Sequence, residues 1–329
     1  MVQLVDEGSE RRLRSLLAEG RYQEVLERFP PASIGDPTAR PGLALGVATA
    51  ATRLGALEPG MRLATGALDG YQLRIDEDGR MRCLNLLGAI AYERGQLGLA
   101  ATMFAASLEL SRSLKDLQSW ARASNNLASV ALQQGRLEES ASLYREVAMA
   151  YQRLGDRRGL AEASHNLGVA SRELGQLAQA GRLGEQAVRH AELVGDPALL
   201  ALAITGQAET TIAEGALTAV AEGLDRAERL AREAGDALGV AEVERVRAER
   251  WLRLGEFSPA LAAAESARAT AERFGSSQLQ GECAALAMRA ALRLKQPAEI
   301  ARYRAEAERL FDALGGVLHL ARLQAAAEA

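Results

Sequence analysis

Residues 119–156, SWARASNNLASVALQQGRLEESASLYREVAMAYQRLGD, contain in order the signals of two helices joined by a short turn. In the first half, apolar residues recur at three- and four-residue steps, which predicts an amphipathic helix over residues 119–134. Gly135 ends that helix, because glycine adopts the left-handed conformation of a helix terminus without a steric penalty. A second helix is predicted over residues 137–154, and Gly155 and Asp156 end it.

The turn glycine recurs along the chain at intervals of 40 residues, and each time Leu or Phe follows two residues later. The members of this series are Gly55, Gly95, Gly135, Gly175, Gly215 and Gly255. A second series with the same interval ends the second helix of each pair. Its members are Gly155, Gly195, Gly235, Gly275 and Gly315, and aspartate, which can cap the next helix, follows the first three. A fixed period of this length predicts a repeat protein built from stacked helix pairs.

The residues around the turn resemble the tetratricopeptide repeat. Leu-Gly or Leu-Ala precedes the turn glycine by seven or eight residues, as in Leu87-Gly88, Leu127-Ala128 and Leu167-Gly168. Five residues after the turn come Ala100, Ser140, Ala180, Val220 and Ala260. Repeats of 40 residues are similar to those of kinesin light chains and of bacterial regulators of the maltose-activator type. The resemblance implies an all-α fold: a right-handed superhelical α-solenoid of about seven to eight antiparallel helix pairs plus a C-terminal capping helix.

We predict one solenoid domain over residues 1–329, because a solenoid grows by adding layers and does not have to split into several cores. Residues 1–41 are expected to form an atypical hairpin and a proline-rich connection, and residues 317–329 the capping helix. The repeats between them are predicted at 42–78, 79–118, 119–158, 159–198, 199–238, 239–278 and 279–316.

Composition excludes several classes of partner. A net charge of −4 and a pI near 5.7 provide no general attraction for phosphate backbones, so a nucleic-acid partner is not expected. The longest weakly polar stretch, residues 41–52, is too short to cross a bilayer, and no secretory signal opens the chain. We therefore expect no membrane partner and a cytoplasmic location. Cys83 and Cys283 stand five repeats apart and are predicted to be small buried hydrophobic residues instead of a disulfide.

Sequence signatures of enzymes are missing. Neither lysine, Lys115 or Lys295, follows a glycine, as a phosphate-binding loop requires. The three histidines lack His-x-x-x-His spacing, and the two cysteines are not paired in a metal-binding motif. The chain is predicted to be a non-enzyme that needs neither a cofactor nor a metal.

We call the first helix of every pair, which in most pairs ends at a glycine of the first series, a first helix. Helical phase places matching residues of the first helices on one side, and in the resembled family this side lines the concave groove. Ten residues before the turn come Asn85, Asn125, His165, Thr205 and Arg245; nine before come Leu86, Asn126, Asn166, Gly206 and Val246. An asparagine amide can bind both the N–H and the C=O of an extended peptide. In kinesin light chains and similar repeats, the asparagine before the Leu-Ala or Leu-Gly pair does this.

The candidate partner-binding residues combine these amides with nearby arginines and one tyrosine. They are Arg82, Asn85, Tyr92, Arg122, Asn125, Asn126, His165, Asn166 and Arg172. Two alternatives stay open. In one, Asn126 and Asn166 cap or bridge neighbouring helices instead. In the other, the arginines belong to an ordinary solvated mixture of charges with the glutamates of the same face, which are Glu93, Glu162, Glu173 and Glu209. A denser mixed patch is predicted to consist of self-neutralising surface pairs; its members are Glu242, Arg245, Glu249, Arg253, Arg289 and Arg293.

The leading hypothesis is a non-enzymatic scaffold that binds a segment of another protein or a peptide in the concave groove. The first alternative is a ligand-gated regulator resembling the Rap-type or maltose-activator-like sensors, in which an effector alters a second interaction. The second alternative is a self-assembling structural protein that forms a homodimer through a terminal hairpin.

Overall fold

The computed structural model describes residues 7–328, and this part of the chain is built from α-helices. It contains seventeen α-helices and one short 3₁₀ helix, and no β-strand occurs within that range. In chain order, α1–α16 make eight helix pairs and α17 follows unpaired. The predicted all-α fold of about seven to eight pairs plus a terminal helix is confirmed. The single domain and the repeat boundaries expected above stay predictions.

The chain divides into two compact units, which we call unit 1 and unit 2, at the step from Leu127 to Ala128. Unit 1 holds the first six helices, a 3₁₀ turn at Pro31–Ser33 and most of the seventh helix. The helices are α1 (Glu7–Ala18), α2 (Tyr22–Arg28), α3 (Pro41–Arg53), α4 (Leu57–Leu73), α5 (Glu77–Glu93), α6 (Leu97–Ser113) and α7 (Leu117–Gln133).

Unit 2 holds the end of α7 and ten further helices. These are α8 (Leu137–Leu154), α9 (Arg157–Glu173), α10 (Leu177–Val194), α11 (Pro197–Ala213), α12 (Ala221–Glu233), α13 (Ala237–Leu254), α14 (Phe257–Arg273), α15 (Ser277–Arg293), α16 (Pro297–Ala313) and α17 (Val317–Glu328). The helix that follows Gly215, α12, starts only at Ala221. The residue before it is Val220, which is larger than its counterparts in other repeats. The last residue of the predicted capping helix, 329, and residues 1–6 of the predicted N-terminal hairpin lie outside the described residues.

The turns have the backbone conformation that the glycine series predicts. All eleven glycines of the two series have positive φ, between 63° and 90°. The predicted aspartate caps also form: the side chains of Asp156, Asp196 and Asp236 accept hydrogen bonds from backbone N–H groups in the first turn of the next helix. Ile75, Lys115 and Lys295 adopt the same positive φ, although none of them is glycine. The same turn geometry therefore also forms at positions that lack the glycine.

Small side chains fill the places where paired helices meet. Ala100, Ser140, Ala180 and Ala260 are at most 1% exposed, and the Oγ of Ser140 donates to the carbonyl of Ala128 at 2.8 Å. The N-terminal pair also belongs to a core, because Leu13, Leu16, Val25 and Phe29 are buried in one cluster with residues of α3 and α4.

Cys83 and Cys283 are both free and buried, as expected for small hydrophobic residues. Within residues 7–328, none of the helices combines the length and the apolar character that crossing a bilayer would require.

Candidate functional site

Two asparagines meet on neighbouring first helices of unit 1. The Nδ2 of Asn126 on α7 donates to the Oδ1 of Asn85 on α5 at 3.1 Å. Both residues are half-buried, so the amide pair is partly accessible to solvent. Asn126 thus does bridge two helices, as one sequence alternative holds. An asparagine amide carries two N–H donors and a carbonyl oxygen, so the pair keeps hydrogen-bonding capacity after this bond.

The other candidates of unit 1 lie on the same two helices. Arg82 is on α5, where its Nη2 lies 2.8 Å from Oδ2 of Asp78, and its side chain is 54% exposed. Arg122 is exposed on α7. Tyr92 and Asn125 are half-buried and engaged in contacts of their own.

In unit 2, Glu209 of α11 joins arginines from the two neighbouring first helices. Its Oε2 lies 3.2 Å from Nη2 of Arg172 on α9, and its Oε1 lies 2.6 Å from Nη2 of Arg245 on α13. The three side chains are only 16–18% exposed. Burial raises the pKa of Glu209, but the two guanidinium groups outweigh burial and bring the pKa down to about 2. Glu209 is therefore ionised at neutral pH and compensates two arginine charges.

Polar contacts continue from Arg245 to α15 and α17. Its Nε lies 2.8 Å from Oε2 of Glu242 and 3.2 Å from Oε2 of Glu282, and the Nε2 of His319 lies 3.3 Å from Oε1 of Glu282. Burial raises the pKa of Glu242. Burial also raises the pKa of Glu282, but Arg245 and the hydrogen bond from His319 outweigh it and lower that pKa. We call the connected side chains the charge cluster: Arg172, Glu209, Glu242, Arg245, Glu282 and His319.

His165 lies beside the charge cluster, in a slot that a glycine leaves open. A Cβ added to Gly206 of α11 would stand 2.5 Å from Cε1 and from Nδ1 of the imidazole ring. Burial lowers the pKa of His165, and although the Glu209 carboxylate opposes this, Arg172 adds to it, so that the pKa falls to about 4. The structure thus brings His165 and Arg172 together around Glu209. Their α9 neighbour Asn166 is half-buried and makes contacts of its own.

Acidification is expected to lower the free energy of unfolding, because His165 is neutral in the folded protein. Its folded pKa of about 4 lies below the ordinary value of 6.5, so as the pH falls the unfolded chain takes up the proton first. The stability linked to His165 is full above pH 6.5 and is lost between pH 6.5 and 4. Between pH 7.5 and 5.5, wild type should lose about 1 kcal/mol more unfolding free energy than a His165→Gln variant. Urea unfolding at both pH values measures this, and equal losses in the two proteins would contradict it.

Two contacts join helices of unit 2 that stand four pairs apart. The Nε2 of Gln133, at the end of α7, donates to the Oε1 of Gln278 on α15 at 2.9 Å. Arg322 of α17 forms an ion pair with Glu173 of α9, whose side chain is only 9% exposed. On the side of unit 2 formed by its first helices, helices four pairs apart therefore come close enough for their polar groups to bond to each other. This side is also lined by charges that already have partners.

Sequence reasoning identified part of this arrangement. Within the mixed patch, Glu249 does form mutual pairs with Arg253 and Arg289, at 2.7 and 2.6 Å. The burial of Glu209 and Arg245 inside unit 2 was missed, and so was the role of His319. No periodic signal marks His319, because it belongs to the terminal helix outside the repeats.

Comparison with known proteins identifies the repeat. Residues 121–192 match the sequence model described as tetratricopeptide repeat. No curated protein matches the sequence.

Several solved structures share the fold at low sequence identity. One is a Rap protein complexed with competence and sporulation factor (TM-score 0.73, 13% identity, 84% of this chain and 76% of that one). A second is aspartyl phosphate phosphatase F from Bacillus subtilis (TM-score 0.68, 12% identity, 88% and 73%). A third is the Rap conjugation gene regulator of the plasmid pLS20 in complex with the Phr* peptide (TM-score 0.66, 13% identity, 86% and 76%). The sequence match identifies tetratricopeptide repeats over residues 121–192, and these structures show that the chain shares the fold of the Rap repeat arrays.

Proposed function

We propose that this protein is a non-catalytic repeat protein that binds an extended segment of a partner protein, or a peptide, along its first helices. The observation that carries the proposal is the amide pair of Asn85 and Asn126, which stands half-exposed on α5 and α7 of unit 1. Each amide still offers N–H donors and carbonyl lone pairs after the pair bond. These groups match the N–H and C=O of a peptide backbone, so recognition would depend little on the peptide's side chains.

Arginines on the same helices add a preference for negative charge. Arg122 is exposed on α7, and Arg82 is more than half exposed although it pairs with Asp78. A guanidinium group binds a carboxylate through two parallel hydrogen bonds, which fixes both position and direction. A peptide with an acidic side chain or a free C-terminal carboxylate beside its bound backbone would satisfy both groups. Tyr92 and Asn125 lie on these helices as further contacts for it.

The similar structures support a peptide as the class of ligand. The Rap protein was solved with competence and sporulation factor, and the Rap conjugation gene regulator with the Phr* peptide. In unit 2, the corresponding candidates are His165, Asn166 and Arg172, and two of these three side chains already adjoin Glu209. A ligand there would have to compete with Glu209 for Arg172, so we place the primary contact in unit 1.

The test uses twelve-residue peptides selected from a random displayed library on the wild-type protein. Their affinities are then measured by fluorescence anisotropy against single Asn85→Ala and Asn126→Ala variants. Each substitution should weaken binding roughly tenfold, because each removes a partly buried hydrogen bond to the peptide backbone. An Asn166→Ala variant reports separately on the asparagine of unit 2.

Gln118→Ala is the matched control, since Gln118 is an exposed amide on α7. It should leave binding unchanged, and none of the variants should shift the melting midpoint by more than a few degrees. Selected peptides that bind the Asn85→Ala and Asn126→Ala proteins as tightly as wild type would remove the proposal.

A further inference from the structure

The terminal helix α17 lies against unit 2 with an apolar side and a basic edge. Leu323 is buried in one cluster with Tyr303 and Phe311 of α16, and Leu320 packs against that cluster. On the polar edge, His319 pairs with Glu282 of α15 and stacks on the ring of Phe311, with the ring centroids 4.8 Å apart. The second basic residue, Arg322, follows three positions later.

Arg322 contacts a helix far from the last pair, although covering the last pair would not require such a contact. Its guanidinium group forms an ion pair with Glu173, at the end of α9, four helix pairs earlier in the chain. The Glu173 side chain is 9% exposed while that of Arg322 is 55% exposed, so the carboxylate is the enclosed partner. An enclosed carboxylate needs a cation beside it, because removing an ionised group from water without compensation is unfavourable. Unit 2 therefore presents two carboxylates to the edge of α17: Glu173, which Arg322 pairs, and Glu282, which contacts both His319 and Arg245.

We propose that the side of unit 2 under α17 is a binding surface for a partner's amphipathic helix with two basic residues spaced i, i+3 beside a pair of leucine-sized residues. In this proposal α17 is the built-in occupant that the partner helix displaces. The contacts of α17 indicate which side chains the partner helix needs. His319 and Arg322 contact two carboxylates, while Leu320 and Leu323 contact an apolar cluster. Recognition of an amphipathic helix through spaced anchors is an established mode of binding.

This surface lies in another unit than the amide pair of Asn85 and Asn126 and takes a helical ligand instead of an extended one. A helix in solution binds only while α17 is displaced, so its apparent dissociation constant is the intrinsic one divided by the displaced fraction. A substitution that weakens the docking of α17, without touching the carboxylates, must tighten the binding of the external helix.

The probe is a fluorescein-labelled synthetic peptide with the sequence of residues 317–328, added to the full chain. Arg322→Glu places a carboxylate against Glu173 and should tighten peptide binding by roughly tenfold over wild type. Arg322→Ala should give a smaller gain in the same direction. A peptide in which glutamate replaces the arginine should bind the Arg322→Ala protein several-fold more weakly than the native sequence.

Arg304→Glu is the matched control, since Arg304 belongs to an exposed i, i+4 pair with Glu308 on the neighbouring helix α16. It should leave peptide binding at the wild-type value. Each comparison is repeated in an Asn126→Ala background, which removes the amide-pair contact of unit 1, so that failure of this inference and failure of the proposed function are distinguishable. Equal peptide affinity in wild type, Arg322→Ala and Arg322→Glu, no measurable binding to any of them, or equal binding of the charge-reversed peptide would each overturn the inference.

Discussion

Replacing Glu209 by alanine is expected to lower the free energy of unfolding by about 3 kcal/mol, the largest effect that we expect from a single substitution. Glu209 is the carboxylate that Arg172 and Arg245 share, and all three side chains are largely enclosed. Removing one partner of a buried ion pair leaves the other charge uncompensated, which typically costs about 3–5 kcal/mol. The residual exposure of 16–18% allows some solvation, so we place the effect at the lower end.

The two arginines are expected to respond differently. Arg245 keeps Glu242 and Glu282 after the substitution, whereas the ion pair of Arg172 is lost. In the described residues, Nη1 of Arg172 is already buried without a hydrogen-bond partner. Adding Arg172→Ala to Glu209→Ala should therefore restore part of the lost stability, because it removes the stranded charge.

Urea unfolding at pH 7 measures these differences, and two further variants isolate the cause. Glu209→Gln keeps the size of the side chain but removes the negative charge that compensates the arginines. Its loss of unfolding free energy should therefore be most of that of Glu209→Ala. Glu308→Ala breaks an exposed pair with Arg304 and should change stability by less than about 0.5 kcal/mol. A loss below about 1 kcal/mol for Glu209→Ala would mean that water solvates both arginines well.

Much of the helix arrangement follows from local signals. Glycine at the end of a helix and aspartate at the start of the next are conformational preferences that each residue expresses independently of distant contacts. The glycine interval of 40 residues therefore predicted the turns correctly at Gly135 and Gly155. It did not predict that Ile75 and Lys115 adopt the same conformation, because neither residue favours it.

The site was less accessible to sequence reasoning, for a geometrical reason. Helical phase put Asn85 and Asn126 on corresponding sides of their helices, and their bond agrees with that placement. By contrast, the approach of Gln133 to Gln278 depends on small rotations that accumulate over four helix pairs. No single residue encodes that sum. The enclosure of Glu209 and Arg245 arises between neighbouring pairs, since Arg172, Glu209 and Arg245 stand on successive first helices and each would be solvated on an isolated pair.

Gly206 shows how a break in the amide ladder can have a packing cause. Asn126 and Asn166 stand nine residues before their turns, but at the same offset α11 carries glycine, and the ring of His165 fills the space. Gly206→Ala should therefore destabilise the protein by about 2 kcal/mol. The added methyl would overpack the site by about 2–3 kcal/mol, and the better helix propensity of alanine offsets only about 0.5–1 kcal/mol of that.

Gly168→Ala is the matched control, because its added Cβ would meet its nearest neighbour, the Cβ of Leu183, at an ordinary 3.6 Å. Helix propensity should then prevail, and the variant should be more stable than wild type by about 0.5–1 kcal/mol. The two glycine substitutions thus have opposite expected signs, although both sit inside first helices of unit 2.

A double-mutant cycle with His165→Ala identifies the ring as the cause. In the His165→Ala background the slot is empty, so Gly206→Ala should become neutral or stabilising, and the coupling energy should reach about 2 kcal/mol. Additive effects would show that the added methyl meets something other than the imidazole. Coupling of this size also bears on ligand binding. A ring held in place against α11 by packing must move before any ligand can contact the face that it presents to Gly206.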